Sequence, residues 1–308
     1  MAQYRVLSLD GGGIRGLLTA IILERLNLMN PGWLDEVDLL AGTSTGGIIA
    51  LGLAHGLTPT QLRNLYQMKG EKIFDDSWLD DLKDIGGLTG ADYDNKNLKR
   101  ELKKIFRDTR LKDLNKKVLI PAFDLDNEKK DVKKRSWAPK FFHNFIGPDS
   151  DGTSLVRNVA LYTSAAPTYF PSVDGYVDGG VVANNPSVAA LAQTQDTRAF
   201  RSPPKLKEVV LLSISTGKSL VYIKGKRHDW GYAHWGKSII PIMMDGVTGV
   251  ADYQCRQILR NKYCRIEPVF PPNETFNMDD VKKIPELVSL AGGVDLKKTV
   301  AWIKRYWR

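Results

Sequence analysis

Short apolar runs alternate with longer stretches of helical spacing along the first third of the chain. Arg5 to Leu9 is an apolar run closed by Asp10 and three glycines, the pattern of a buried strand ending in a tight turn. Ile14 to Met29 carries apolar residues at helical spacing, and Asn30-Pro31-Gly32 stops it. Val37 to Ala41 is a second short strand. It runs into Gly42-Thr43-Ser44-Thr45-Gly46-Gly47 and then a small, apolar helix to about His55. This βαβα opening predicts a parallel sheet with helices on its faces. Further on, 60–73 and 96–107 read as surface helices, with an acidic, turn-rich stretch from Asp75 to Tyr93 between them. Lys117 to Asp124 reads as a strand, Lys129–Arg135 as a hairpin or loop, and Val156 to Tyr162 as a helix. A strand or hairpin segment ends at Asp178-Gly179-Gly180, and Glu208 to Ser215 is a strongly apolar strand that would complete the sheet. Ile239 to Leu259 and Leu296 to Trp307 read as helices.

The chain has 308 residues, 43% hydrophobic and 26% charged, which is globular composition. That length has room for two domains, but no repeat, low-complexity tract or linker divides it. The expectation is a single α/β domain over 1–308: a mostly parallel central sheet, motifs within about 4–216, and a helical part from 217 to 308 packed on that core. The formal charge is +9. Sixteen Lys/Arg and seven Asp/Glu between Lys96 and Lys140 account for all of it. A polyanionic partner would therefore be sought on that segment. Cys255 and Cys264 are too few for a disulfide scaffold and lack a zinc-site pattern, so they read as reduced thiols. No apolar run is long enough to span a bilayer, and the N-terminus lacks a signal-peptide pattern. The sequence expectation is a cytoplasmic protein.

Gly42-Thr43-Ser44-Thr45-Gly46 fits G-x-S-x-G between strand and helix. A turn that sharp strains its central residue, needs small neighbours and leaves the Ser hydroxyl clear of the backbone. The same composition also suits an ordinary turn. Gly11-Gly12-Gly13-Ile14-Arg15-Gly16 is formally a dinucleotide fingerprint, but that reading wants an acid at the tip of the second strand. Here the acids Asp35, Glu36 and Asp38 lie at its beginning. The alternative is an oxyanion hole: consecutive glycines let backbone N–H groups converge beside a helix N-terminus. Arg15 would either sense an anionic headgroup or pair with Asp10. As base for Ser44, His55, His143, His228 and His234 suit a triad poorly by position. Asp178, freed by Gly179 and Gly180, is the better candidate, although Asp-Gly-Gly is commonly just a hairpin turn.

Taken together, Asp10-Gly11-Gly12-Gly13-Ile14-Arg15-Gly16, Gly42-Thr43-Ser44-Thr45-Gly46-Gly47 and Asp178-Gly179-Gly180 resemble, in order and spacing, the signature of patatin-like phospholipases. Ser164-Ala165-Ala166-Pro167 and Asn184-Asn185-Pro186 resemble the flanks of that family's catalytic Asp. The resemblance implies a modified α/β-hydrolase fold and hydrolysis of lipid acyl esters by a Ser44–Asp178 dyad. It also implies oxyanion donors from Gly11, Gly12 and Gly13, with Arg15, Gly16, Gly42, Gly46, Gly179 and Gly180 supporting the motifs. No metal or cofactor is implied. Membrane phospholipid would be met peripherally, at the inner face of the membrane. Three surfaces offer themselves: the basic segment 96–140, the aromatic stretch Trp230–Trp235, and the C-terminal helix with Trp302, Tyr306 and Trp307. Short bacterial members of this type include anti-phage effectors switched on by cyclic oligonucleotides, so such an activator and a homo-oligomer are compatible expectations. No nucleic-acid polymer is expected, because no aromatic-interleaved binding motif accompanies the basic segment. The rival class is a non-catalytic module holding a nucleotide or lipid headgroup in the glycine turn.

Overall fold

The computed structural model describes residues 3–74, 95–167, 169–225, 229–272, 274 and 276–307. The expected irregular stretch Asp75–Tyr93 lies outside them. In chain order the elements are β1 (Tyr4–Leu9), α1 (Gly16–Met29), β2 (Leu39–Gly42), α2 (Thr45–His55), α3 (Pro59–Phe74), α4 (Lys96–Phe106), β3 (Lys117–Asp124) and β4 (Ala138–His143). They continue with α5 (Val156–Thr163), β5 (Tyr176–Asp178), α6 (Gly180–Ala183), α7 (Ser187–Gln193), β6 (Val209–Ile214), α8 (Tyr232–Leu259), β7 (Tyr263–Ile266), α9 (Ile284–Gly293) and α10 (Lys297–Tyr306).

The sheet runs β4-β3-β2-β1-β6-β7, with β5 paired to β3. Strands β3, β2, β1, β6 and β7 are parallel, while β4 and β5 run antiparallel to β3. Period-2 alternation decides which residues meet which helices. Leu7, Leu9, Leu40, Val118, Ile120 and Leu212 point into the larger core with α1, α2, α5, α9 and α10. Val6, Leu39, Ala41, Leu119 and Leu211 point to the opposite face, under α7 and the C-terminal end of α8. Both faces are covered, which is why the strands read as unbroken apolar runs. The result is a single α/β domain with a mostly parallel central sheet flanked by helices.

The sheet does not end at β6. Strand β7 continues it, so the part after 217 is not wholly helical. A charged residue, Arg265, interrupts β7 and hid it from hydrophobic patterning. Strand β4 was equally unmarked, with Pro139 and Lys140 on an edge. Helix α10 decides between its two sequence readings, a helix docked on the core and a membrane-contact surface. Trp307 is fully buried, its Nε1 donates to the Trp33 carbonyl at 3.0 Å, and its own carbonyl accepts from the Arg5 guanidinium. The C-terminal helix is therefore docked on the core, and Trp307 is not available to a membrane.

Candidate functional site

Parallel pairing places the C-terminal ends of β1 and β2 side by side, Leu9 opposite Gly42. The chain leaves both strands into turns at the same edge of the sheet. After β2 it reverses so sharply that Ser44 adopts φ 53° and ψ −124°, a conformation a non-glycine residue rarely holds. Gly46 makes the reversal fit: a Cβ there would stand 2.3 Å from the Leu9 carbonyl oxygen. The Ser44 N–H donates to Thr163 Oγ1 at 2.9 Å, and the Thr163 hydroxyl donates on to the Pro121 carbonyl at 2.6 Å. Sequence reading did not single out Thr163. It ends α5 just before Ser164-Ala165-Ala166-Pro167, and it ties the turn to β3.

Asp178 ends β5, whose antiparallel register sets it opposite Ala122 of β3. Its Oδ1 accepts from the Gly180 N–H at 2.7 Å, and the Ser44 hydroxyl lies beside it. Burial pushes its pKa from 3.8 up to about 7, against the lowering effect of the Ser44 hydroxyl and the Gly180 N–H. An acid 4% exposed has little water to solvate its charge. The structure thus brings together Ser44 and Asp178, which are 134 positions apart in sequence.

The glycine turn after β1 is braced on all sides. The Gly11 N–H donates to the Asn184 carbonyl at 3.0 Å, and Thr216 Oγ1 donates to the Gly11 carbonyl at 2.7 Å. The expectation that Gly11 supplies an oxyanion donor is therefore corrected: its N–H is taken, leaving Gly12 and Gly13 as the candidate donors of the turn. Gly13, at φ 58°, admits no side chain, because a Cβ would lie 2.1 Å from the Met278 carbonyl oxygen. That same carbonyl accepts from the Ile14 N–H at 2.8 Å. Met278 thus closes over the turn. The space next to Ser44, bounded also by Ser164, Tyr169 and Phe170, is a cavity of about 30 Å³.

Arg15 does not pair with Asp10: the Nε of its half-buried side chain donates to the Gly12 carbonyl at 3.2 Å. Asp10 is instead held by Arg265 of β7, Nη2 to Oδ2 at 2.7 Å, with the two side chains 1% and 3% exposed. Arg265 Nη1 also donates to Ser213 Oγ at 2.7 Å and its Nη2 to Glu267 at 2.8 Å. This buried cluster joins β7 and β6 to the first residue of the glycine turn, and no sequence motif announced it. The partners become visible only when the C-terminal end of β1 is set beside β6 and β7.

The two histidines whose side chains are described pack against aromatic rings. His55 packs edge-on against Phe106, with ring centroids 5.5 Å apart. His143 is buried at the end of β4 beside Phe145, its pKa lowered by that burial. His228 and the side chain of His234 lie outside the described residues. Both cysteines are free thiols. Among the described residues no three His, Cys, Asp or Glu side chains converge as metal ligands would.

The patatin-like phospholipase family model matches residues 7–191. A cGAMP-activated phospholipase from Pseudomonas aeruginosa is 31% identical, covering 96% of this chain and 86% of that protein. Another protein of that name, from Escherichia coli, is 34% identical, covering 76% of this chain and 69% of the relative. Protein teg from Priestia megaterium is 27% identical over the full length of both chains.

Proposed function

The chain belongs to the patatin-like phospholipase family, and on that premise we propose that it hydrolyses acyl esters of membrane glycerophospholipids through a Ser44–Asp178 dyad. The observation that carries the proposal is the Ser44 hydroxyl set beside a buried carboxylate whose pKa is raised to about 7. Such a group is ionised in a large fraction of molecules at neutral pH and is basic enough to take a proton in the transition state.

In the first half-reaction Ser44 Oγ bonds to the acyl carbon while its proton passes to Asp178. The carbonyl oxygen gains negative charge against the N–H groups of Gly12 and Gly13 and the N-terminus of α2. The C–O bond to glycerol breaks, and Asp178 returns the proton to the leaving alkoxide. Water then attacks the acyl-enzyme and gives its proton to Asp178, the bond from the acyl carbon to Ser44 Oγ breaks, and Asp178 passes the proton to that oxygen as fatty acid departs. The present cavity has room for about two waters.

Two finer points belong to the same proposal. The first is activation by a cyclic dinucleotide, supported by the names of relatives above 30% identity. The second is peripheral contact with the inner face of the membrane. Among the described residues no helix is long and apolar enough to cross a bilayer, so contact would come from surface groups.

The test is release of fatty acid from phospholipid vesicles with and without cyclic dinucleotides. Ser44→Ala and Asp178→Ala each abolish release. A fluorophosphonate probe labels Ser44 in the wild type. If the probe leaves the folded protein unlabelled under every condition, the non-catalytic binding module is the better reading. If cyclic dinucleotides neither bind nor change the rate, the activation proposal fails.

A further inference from the structure

Strands β1, β2, β3 and β6 are mutually parallel, so the segments leaving their C-terminal ends all emerge at one edge of the sheet. The order is β3-β2-β1-β6. The two middle strands carry the Ser44 turn and the glycine turn. The two outer ones carry the β3–β4 hairpin loop, 125–137, and the loop that follows β6. Three strand spacings, ~15 Å, separate these outer strands. The two loops thus stand on either side of the candidate active site.

Both loops have the same unusual composition. In the hairpin, Val132 near the tip is 77% exposed and Trp137, at the base beside β4, 72%. They stand among the exposed side chains of Lys129, Lys130 and Lys133. After β6, Leu220, Val221 and Tyr222 are 59%, 72% and 82% exposed, and the exposed Lys218 and Lys224 bracket them. Neither loop is a loose coil at its base. Asn127 N–H donates to the Ser136 carbonyl at 3.1 Å across the hairpin. Lys218 N–H donates to the Pro268 carbonyl, and its own carbonyl accepts from Phe270 N–H, both at 2.9 Å. Two anchored loops therefore hold apolar and aromatic side chains out in water, with lysines around them.

We infer that these two loops form the face that docks on an anionic lipid surface. The apolar tips and Trp137 and Tyr222 suit the headgroup–acyl boundary, where an amphipathic ring is at home, and the lysines complement anionic headgroups just above it. A phospholipid held at that face lies opposite the edge that carries Ser44. This surface replaces two of the sequence candidates: the C-terminal helix, whose Trp307 is buried, and the basic segment taken as a whole, of which only the hairpin part meets the active-site edge. The inference rests on the phospholipid reading for its purpose, but its test does not.

The test is co-sedimentation of the Ser44→Ala protein, which leaves the vesicles undegraded, with phosphatidylcholine vesicles with and without phosphatidylglycerol. The parent binds the anionic vesicles and is released by salt. Val132→Ser/Trp137→Ser and Val221→Ser/Tyr222→Ser each weaken binding about tenfold or more, from the apolar contact removed. Lys129→Ser/Lys130→Ser/Lys133→Ser weakens binding only where phosphatidylglycerol is present. Val250→Ser, at an exposed apolar position on α8, changes nothing. Sedimentation velocity on the same proteins shows one oligomeric state throughout.

The inference is overturned if the parent binds neither vesicle or if the loop variants bind like the parent. It is equally overturned if Val250→Ser loses as much, or if the loop substitutions dissociate an oligomer while vesicle binding persists. Should the loop variants lose binding while the wild type releases no fatty acid from any lipid, the docking face stands and the hydrolase reading falls. Should the loop variants bind as the parent does, and the same loop substitutions with Ser44 restored hydrolyse vesicles as the wild type does, the hydrolase reading stands and the docking face falls.

Discussion

Asp178→Asn is expected to inactivate the protein and at the same time to stabilise it, increasingly so as pH rises. The native carboxyl has its pKa raised from 3.8 to about 7, mainly by burial. That displacement amounts to about 4 kcal/mol against the charged form. Below pH 4 the acid is neutral in both folded and unfolded chains, and its burial carries no charge penalty. Between about pH 4 and pH 7 the unfolded chain releases the proton and the native chain keeps it, so the wild type loses about 1.4 kcal/mol per pH unit relative to the Asn variant. Above about pH 7 both states are ionised and the difference is flat. The Asn side chain keeps an oxygen to accept from the Gly180 N–H, so changes in hydrogen bonding enter as an offset that does not vary with pH. From pH 5 to pH 8 the stability gap in favour of the variant therefore widens by about 3 kcal/mol. Urea unfolding of both proteins across that range measures it. A gap that stays constant with pH, or that narrows from pH 5 to pH 8, would refute the claim that Asp178 is a desolvated acid. The same displacement sets the rate profile of the wild type, in which kcat/KM rises with pH and levels off above about 7. A midpoint near 4 would contradict it independently.

Arg265→Met leaves Asp10 buried without its partner and should cost about 3–5 kcal/mol by urea unfolding, with Asp10→Asn in the same chain recovering part of the loss. Thr163→Val removes both the acceptor for the Ser44 N–H and the donor to Pro121, and is expected to cost about 1–3 kcal/mol and to slow fluorophosphonate labelling of Ser44. Burial pushes the Cys255 thiol up to about 12, so the folded protein should leave Cys255 unreacted with a thiol reagent at pH 8, while urea exposes it. Rapid reaction of Cys255 in the folded state would show that α8 does not pack as described.

Local rules were enough for much of this protein. A helix or strand formed by its own periodicity is legible residue by residue, as β1, α1, β3 and β6 show. The Ser44 turn and the glycine turn are likewise local, because their glycines answer contacts and dihedral angles within a few residues. Burial, partner and exposure are properties of the assembled sheet, and these the sequence left open. An Asp-Gly-Gly reads as a turn anywhere. Only β5 pairing with β3 buries Asp178 against Ser44 and lifts its pKa. Gly11 looks like a donor until the chain near 184 returns to take its N–H. Arg265 looks like a break in a strand until β7 lies beside β6 and finds Asp10. Trp307 and Trp137 are both tryptophans near basic residues, and sequence alone treats them alike. Docking on the core hides one, and the position of a hairpin at the end of β3 exposes the other. The sequence determined which short segments form and which residues could do chemistry. The packing decided which of them meet, because desolvation and pairing act between residues far apart along the chain.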